Sequence, residues 1–210
     1  MKKEWRKHEK QFYLPKNKPE LVQIPHFNFF TIQGEGNPNN EFFGEYISAL
    51  YSLSYGARMS YKWSNPPNDY YEYTVYPLEG VWDIADKSKY IPKVIDKDNL
   101  AFELMIRQPS FVTEDLANDI LEITKQKKPH TLLDQVNFKT IEEGACVQML
   151  HVGSYDDEPI SFEIMNQFCT QNDLKRTSMK HREIYLSDFR KVKPEDLKTV
   201  LRFKVEKYSN

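Results

Sequence analysis

Two cysteines in 210 residues cannot build a disulfide framework, and Cys146 and Cys169 stand at no metal-ligand or redox spacing, so both read as small buried apolar residues. Glycine is scarce, with seven in the chain. The pair in Gly34-Glu35-Gly36 is followed neither by a dinucleotide fingerprint nor by the Lys-Ser/Thr of a phosphate loop, so no nucleotide cofactor, and no other cofactor, is expected. His26, His130, His151 and His181 lack metal-ligand spacing, and none accompanies a Ser or Cys nucleophile motif. Metal centres and catalytic triads are therefore set aside. No run approaches the ~20 apolar residues that span a bilayer. The basic start Met1-Lys2-Lys3-Glu4-Trp5-Arg6-Lys7 has no signal-peptide core behind it, so the protein is expected in the cytoplasm, without a membrane partner. Excess positive charge is missing too. A net charge of −2 and a pI near 6.2 argue against direct nucleic-acid binding, which needs a surplus of Lys and Arg on one face.

What the chain has in quantity is rings. Aromatic residues make up 14%, with 13 Tyr, 13 Phe and 3 Trp. Tyr and Trp join a large apolar face to a polar tip, which suits a pocket for flat organic ligands; a core built from rings instead of aliphatics is the other reading.

Residues 1–20 are charged, carry Pro15 and Pro19, and read as an N-terminal arm. The β-branched and aromatic run from Leu21 to Gln33 is a strand ended by the turn Gly34-Glu35-Gly36-Asn37-Pro38. From Asn40 to about Tyr55 the apolar residues Phe42, Phe43, Tyr46, Ile47, Leu50 and Leu53 recur three or four apart, as on one face of a helix. A strand pair is expected over 57–63 and Tyr70–Leu78, then a loop over Glu79–Asp98. A further strand over Asn99–Gln108 has Phe102, Leu104 and Ile106 facing a core and Glu103, Met105 and Arg107 turned away. Thr113-Glu114-Asp115 caps a linker helix over about 113–128. Strand sequence then runs from Phe138 to Val152 with an interruption near Gly144. A helix from Pro159 carries the stripe Ile160, Ile164, Met165 and Phe168, and the run Asp156-Asp157-Glu158 is its favourably charged N-terminus rather than a cation site. Strands over His181–Ser187 and Thr199–Lys207 close the chain.

This order reads as strand–helix–strand–strand written twice, over about 21–108 and about 138–207, with Lys180–Ser187 falling where the first copy has Tyr71–Leu78. Ala57-Arg58-Met59-Ser60 matches Lys175-Arg176-Thr177-Ser178, and Tyr76 matches Tyr185. The expected fold is α+β: two pseudo-symmetric βαββ units whose antiparallel sheets share a central cleft, with the helices on the opposite face. Ligand sites favour such junctions. In strict alternation Ile184 and Leu186 point to the core, while His181, Glu183, Tyr185 and Ser187 point to the other face.

Tyr73-Thr74-Val75-Tyr76-Pro77-Leu78-Glu79-Gly80-Val81-Trp82 together with Arg182-Glu183-Ile184-Tyr185-Leu186-Ser187-Asp188 resemble the GyrI-like small-molecule-binding family. The second stretch is similar to the Glu-hydrophobic-Tyr strand of effector-binding domains in multidrug-sensing transcription regulators. The resemblance covers roughly Leu21 to Val205 and implies a single tandem βαββ domain over 21–210. It also implies a pocket for hydrophobic, flat or cationic small molecules with Glu183 as its carboxylate and Trp82 and Tyr76 among its rings. No helix-turn-helix precedes the domain, so a DNA-reading role is not expected. Stand-alone proteins of this kind are associated with sequestering or hydrolysing toxic compounds, cyclopropane-containing alkylators among them, and with inhibiting DNA gyrase.

The expected site follows. Glu183 acts as a general base on water, and Tyr185 donates to a ligand carbonyl or positions the water. Trp82, Tyr76 and Trp63 are stacking walls, and Thr74, Met149 and His151 are further candidate ligand contacts. The rival reading is a non-catalytic binder in which Glu183 neutralises a cationic lipophilic ligand held by cation–π attraction. A gyrase-binding role needs an interaction surface that the sequence does not locate, and oligomeric state is not legible.

Overall fold

A computed structural model describes residues 2–89, 91 and 96–208. The chain forms two compact units, one of Met1–Glu4, Phe27–Leu78 and Trp82–Ile141, the other of Trp5–His26, Glu79–Val81 and Glu142–Asn210. In chain order the elements are α1 (Trp5–His8), α2 (Lys10–Tyr13), β1 (Glu20–Glu35), α3 (Phe42–Met59), β2 (Leu78–Ile84), β3 (Leu100–Gln108), α4 (Glu114–Lys127), β4 (Asn137–Val152), α5 (Glu158–Gln171), β5 (Leu174–Arg176), β6 (His181–Tyr185) and β7 (Lys198–Lys207). The fold is α+β, and its strand ladders β1–β3, β4–β7, β5–β7 and β6–β7 are antiparallel.

In the first unit β1 pairs with β3 from Asn28↔Gln108 to Glu35↔Ala101. Phe30 lies opposite Ile106 and Ile32 opposite Leu104, so four fully buried apolar side chains share one face. Leu50 and Leu53 of α3 and Ile120 of α4 add to this unit's core. The Thr113 hydroxyl accepts from the Leu116 N–H and caps α4, as Thr before two acidic residues predicts. The second face of β3 is covered as well, which corrects the half-buried reading of this strand. Met105 is fully buried, and the Arg107 guanidinium lies 3.3 Å from the Phe27 ring centroid and 4.5 Å from that of Tyr76.

The expected strand pair over 57–63 and 70–78 does not form. α3 continues to Met59 and closes with a 3-10 turn over Ser60–Lys62, while Tyr73 makes only an isolated parallel bridge to Lys3. Three tyrosines of this stretch gather on one distant ring instead: Tyr70, Tyr71 and Tyr73 each pack against Phe111 at 5.1–5.9 Å between centroids. The strand spans Leu78–Ile84, so that it starts where the expected strand ends and runs through what reads as a loop, and Tyr90 and residues 92–95 of that expected loop lie outside the described residues. Ala57–Ser60 is thus the end of a helix and its turn, whereas Lys175 and Arg176 sit in β5. The two matched tetrapeptides have different local structures.

In the second unit β7 is central, with β4 paired along it from Cys146↔Lys204 to Val152↔Lys198 and β6 from Arg182↔Arg202 to Tyr185↔Thr199. β4 passes through Gly144 at φ +72°, a left-handed position that glycine takes without strain and that explains the interruption read there. α5 covers one face of this sheet. Its Met165 and Cys169 pack with Val147, Met149, Leu201, Phe203 and Val205. On the other face Arg182 meets Glu79 at 2.7 Å and Glu143 at 2.9 Å, and Arg202 meets Glu143 at 3.2 Å, all buried. Burial alone would raise the Glu143 carboxyl, but the two guanidiniums overcome it and hold the group below its ordinary range. Gln148 accepts from Arg202 at 2.9 Å and donates to the Gln11 carbonyl at 2.7 Å, which ties the α2 segment to β4.

Candidate functional site

Alternation along β6 puts His181, Glu183 and Tyr185 on one face. Glu183 lies opposite Leu201 and Tyr185 opposite Thr199. Leu201 belongs to the cluster beneath α5, so the carboxylate points to the helix side of this sheet. That corrects the expectation that Glu183 faces away from a core. Both faces of β6 are covered, and Ile184, read as core-facing, is fully buried on the other one beside Arg182.

The approach to α5 explains what surrounds the carboxylate. β4 ends at Val152, and Gly153 turns the chain at φ +139°, where an added Cβ would stand 3.5 Å from His151 Nε2. Ser154 then caps a 3-10 turn over Tyr155–Asp157, and α5 starts at Glu158 with Pro159 in its first turn. His151 Nε2 donates to the Ser154 carbonyl at 3.0 Å, which leaves Nδ1 to accept from the Ser161 hydroxyl at 2.9 Å. Both ring nitrogens are engaged in fastening the start of α5 to the end of β4.

Glu183 is 8% exposed. Its Oε2 accepts from the Tyr185 hydroxyl at 2.8 Å, and its Oε1 is 3.0 Å from His181 Nε2. Glu158, 5% exposed, hydrogen-bonds Glu183. Burial first, then the Glu183 charge and that hydrogen bond, push the Glu158 carboxyl well above its usual range. Glu158 Oε1 is buried without a hydrogen-bond partner, and so is Thr199 Oγ1 beside Tyr185. Rings frame the group: Tyr155 stands edge-on to Tyr185 at 5.9 Å and Phe162 edge-on to His181 at 4.7 Å. The Tyr155 phenol is raised by burial and by the charges of Glu183, Glu158 and Asp188. Tyr155, Phe162, His181 and Tyr185 are half-buried around the two buried carboxyl groups.

Of the expected site residues, the structure brings Glu183 and Tyr185 into direct contact. His151 sits at the start of α5 with both nitrogens used. Met149 lies inside the hydrophobic cluster. Trp82, Tyr76, Trp63 and Thr74 belong to the first unit. Trp82 stacks on Phe43 at 5.9 Å and leans on Phe102 at 5.6 Å, which matches a buried plug. Tyr76 lies under Arg107, the half-buried Trp63 follows the 3-10 turn after α3, and the Thr74 N–H donates to the Lys3 carbonyl at 2.9 Å. A cavity of about 360 Å³ lined by Phe42, Glu45, Tyr46, His130, Thr131 and Leu132 contains none of the expected residues.

Glu158, Tyr155 and Phe162 escape the sequence reading. Its helical stripe runs through Ile160 and Ile164, which are 64% and 43% exposed. The buried stripe is Glu158, Ser161, Met165 and Cys169. Stepping back from Met165 in threes and fours would have landed on Glu158, a carboxylate in phase with the core. Glu158, His181 and Glu183 also offer one ligand atom each, all within 4.8 Å of one another, and so could hold a metal ion although their spacing in the sequence gives no hint of it.

The GyrI-like small molecule binding domain matches residues 17–206. The chain belongs to the GyrI-like family. Three solved structures from Listeria innocua, each covered over its whole length, are closely similar to this chain. One described as a hydrolase is 35% identical over 97% of this chain with a TM-score of 0.87, and a second hydrolase is 36% identical over 98% with 0.89. An uncharacterized conserved protein is 37% identical over 97% with 0.88. No curated protein sequence matches the chain. No helix among the described residues is long and apolar enough to cross a membrane.

Proposed function

We propose that this GyrI-like protein hydrolyses hydrophobic electrophiles that carry a strained ring, cyclopropane-containing alkylators being the model substrates, and thereby destroys their reactivity. The observation that carries the reading is the Glu183 carboxylate held at 2.8 Å from the Tyr185 hydroxyl, beside the buried carboxyl of Glu158. A cyclopropane conjugated to a dienone is already primed for opening. When its carbonyl oxygen takes over the Tyr185 hydroxyl, Glu183 Oε2 is released to accept a proton from water. The water oxygen bonds to the ring carbon, the pair of the breaking C–C bond flows to the carbonyl oxygen, and that oxygen takes its proton from Tyr185. Proton return from Glu183 to Tyr185 restores the site, so the net reaction is addition of one water. Two relatives described as hydrolases support this class of chemistry.

Incubation of the purified protein with a cyclopropane alkylator is expected to give a product heavier by one water. Glu183→Gln should keep ligand affinity and lose turnover by about 10²–10⁴-fold, the usual worth of a general base. Tyr185→Phe should lose turnover as well. A second reading, a non-catalytic binder of lipophilic cations, draws on the same carboxylate pair among the rings of Tyr155, Phe162 and Tyr185. It predicts dye binding that Glu183→Gln abolishes, with no mass change in any substrate.

A further inference from the structure

We propose that Glu158, His181 and Glu183 form a binding site for one divalent transition-metal ion of the Zn²⁺ or Co²⁺ type, and that an ion bound there blocks the general base. The site shares residues with the proposed hydrolysis but stands without it. Its three ligand atoms already lie within 4.8 Å of one another, and His181 Nε2 and Glu183 Oε1 are 3.0 Å apart. Bonds of about 2.0–2.2 Å to zinc put neighbouring tetrahedral ligands about 3.3–3.6 Å apart, so small side-chain rotations close the set. The independent observation is Glu158 Oε1, an oxygen on a side chain 5% exposed that has no hydrogen-bond partner although its carboxyl belongs to the cluster. Such an orphaned acceptor is costly unless a cation or donor meets it.

The donor set selects the ion. One imidazole and two carboxylates suit zinc, cobalt or manganese, while magnesium keeps its waters and prefers oxygen alone. Binding releases the Glu158 proton, the two carboxylates then offset the dipositive charge, and three protein ligands leave a fourth position for water. Outer partners are in place: Tyr185 holds the far oxygen of Glu183, and Phe162 packs edge-on against the His181 ring. An ion on Glu183 Oε1 draws electron density from the carboxylate and so lowers the basicity of Oε2, the oxygen that would receive the proton of water, and the loaded protein binds ligand without turning it over.

Metal-stripped protein titrated with Co²⁺ should take up one equivalent with visible d–d absorption, and calorimetry with Zn²⁺ should give the same stoichiometry. Glu158→Gln and His181→Gln should each weaken binding at least about tenfold, as loss of a ligand does. His130→Gln, which removes the imidazole of the His130–Glu45 pair, should change nothing. Circular dichroism of each variant confirms that it is folded. No saturable binding, or one-equivalent binding that survives both ligand variants, overturns the site. These readouts contain no substrate, so failure of the hydrolysis reading leaves them intact, and their failure leaves the hydrolysis reading intact.

Discussion

Glu158 shows how one residue can be placed against its own preference for water. The acidic first turn of α5 is favourable for the helix dipole, yet this carboxyl is turned inward against Glu183, and its raised proton affinity follows from burial and from that neighbour. The folded form holds its proton to a higher pH than the unfolded chain. Stability is therefore fully present below the unfolded value near 4.5 and is lost as pH rises through the folded value. Glutamine carries no proton to lose. Chemical denaturation in a metal chelator should show Glu158→Gln gaining stability over wild type as pH rises above the unfolded value near 4.5; a pH-independent difference would mean that the carboxyl titrates normally. On the opposite face of β6, Ile184→Ala should cost about 2–4 kcal/mol through the cavity it leaves. Glu183→Leu deserves no comparable tolerance, because it strips Tyr185, His181 and Glu158 of a shared acceptor.

At the scale of elements, α5 is anchored at its start and along its body by different means. Its start is fastened by His151 between Ser154 and Ser161, and its body by Met165 and Cys169 in the apolar cluster. Met165→Ala should lower stability by about 2–5 kcal/mol while leaving the Glu183–Tyr185 contact in place, measurable as lost denaturation midpoint with retained ligand binding. The elements were largely legible: β1, α3, β3, α4, β4, α5, β6 and β7 follow from periodicity and from the Thr113 cap. The stretch 57–78 was not. Its Tyr-rich alternation imitates a strand, but the rings of Tyr70, Tyr71 and Tyr73 are spent on Phe111, a contact across many residues that no local pattern encodes. The site was half legible for the same reason. Glu183 and Tyr185 lie two apart on one strand, whereas Glu158 reaches them only through the turn at Gly153 and the phase of α5.

At the scale of the molecule, membership of the GyrI-like family accounts for the α+β architecture and the small-molecule-binding character, while the second unit supplies the rigid frame for the carboxylate pair. The Arg182–Glu79–Glu143–Arg202 network lies on the far face of the strands that carry Glu183. Removing one member leaves its partners charged and buried, so Arg182→Leu should cost about 3–5 kcal/mol of stability in equilibrium unfolding. A neutral effect would show the network to be dispensable for folding.

The most direct test of the account is the mass and rate of product formed from a cyclopropane alkylator by wild type and by Glu183→Gln at equal ligand occupancy. The predicted result is a product heavier by one water from wild type, and a rate about 10²–10⁴-fold lower from the variant with affinity retained. Equal turnover by the two proteins, or binding by both with no mass change in the ligand, contradicts the assignment of Glu183 as the base that activates water.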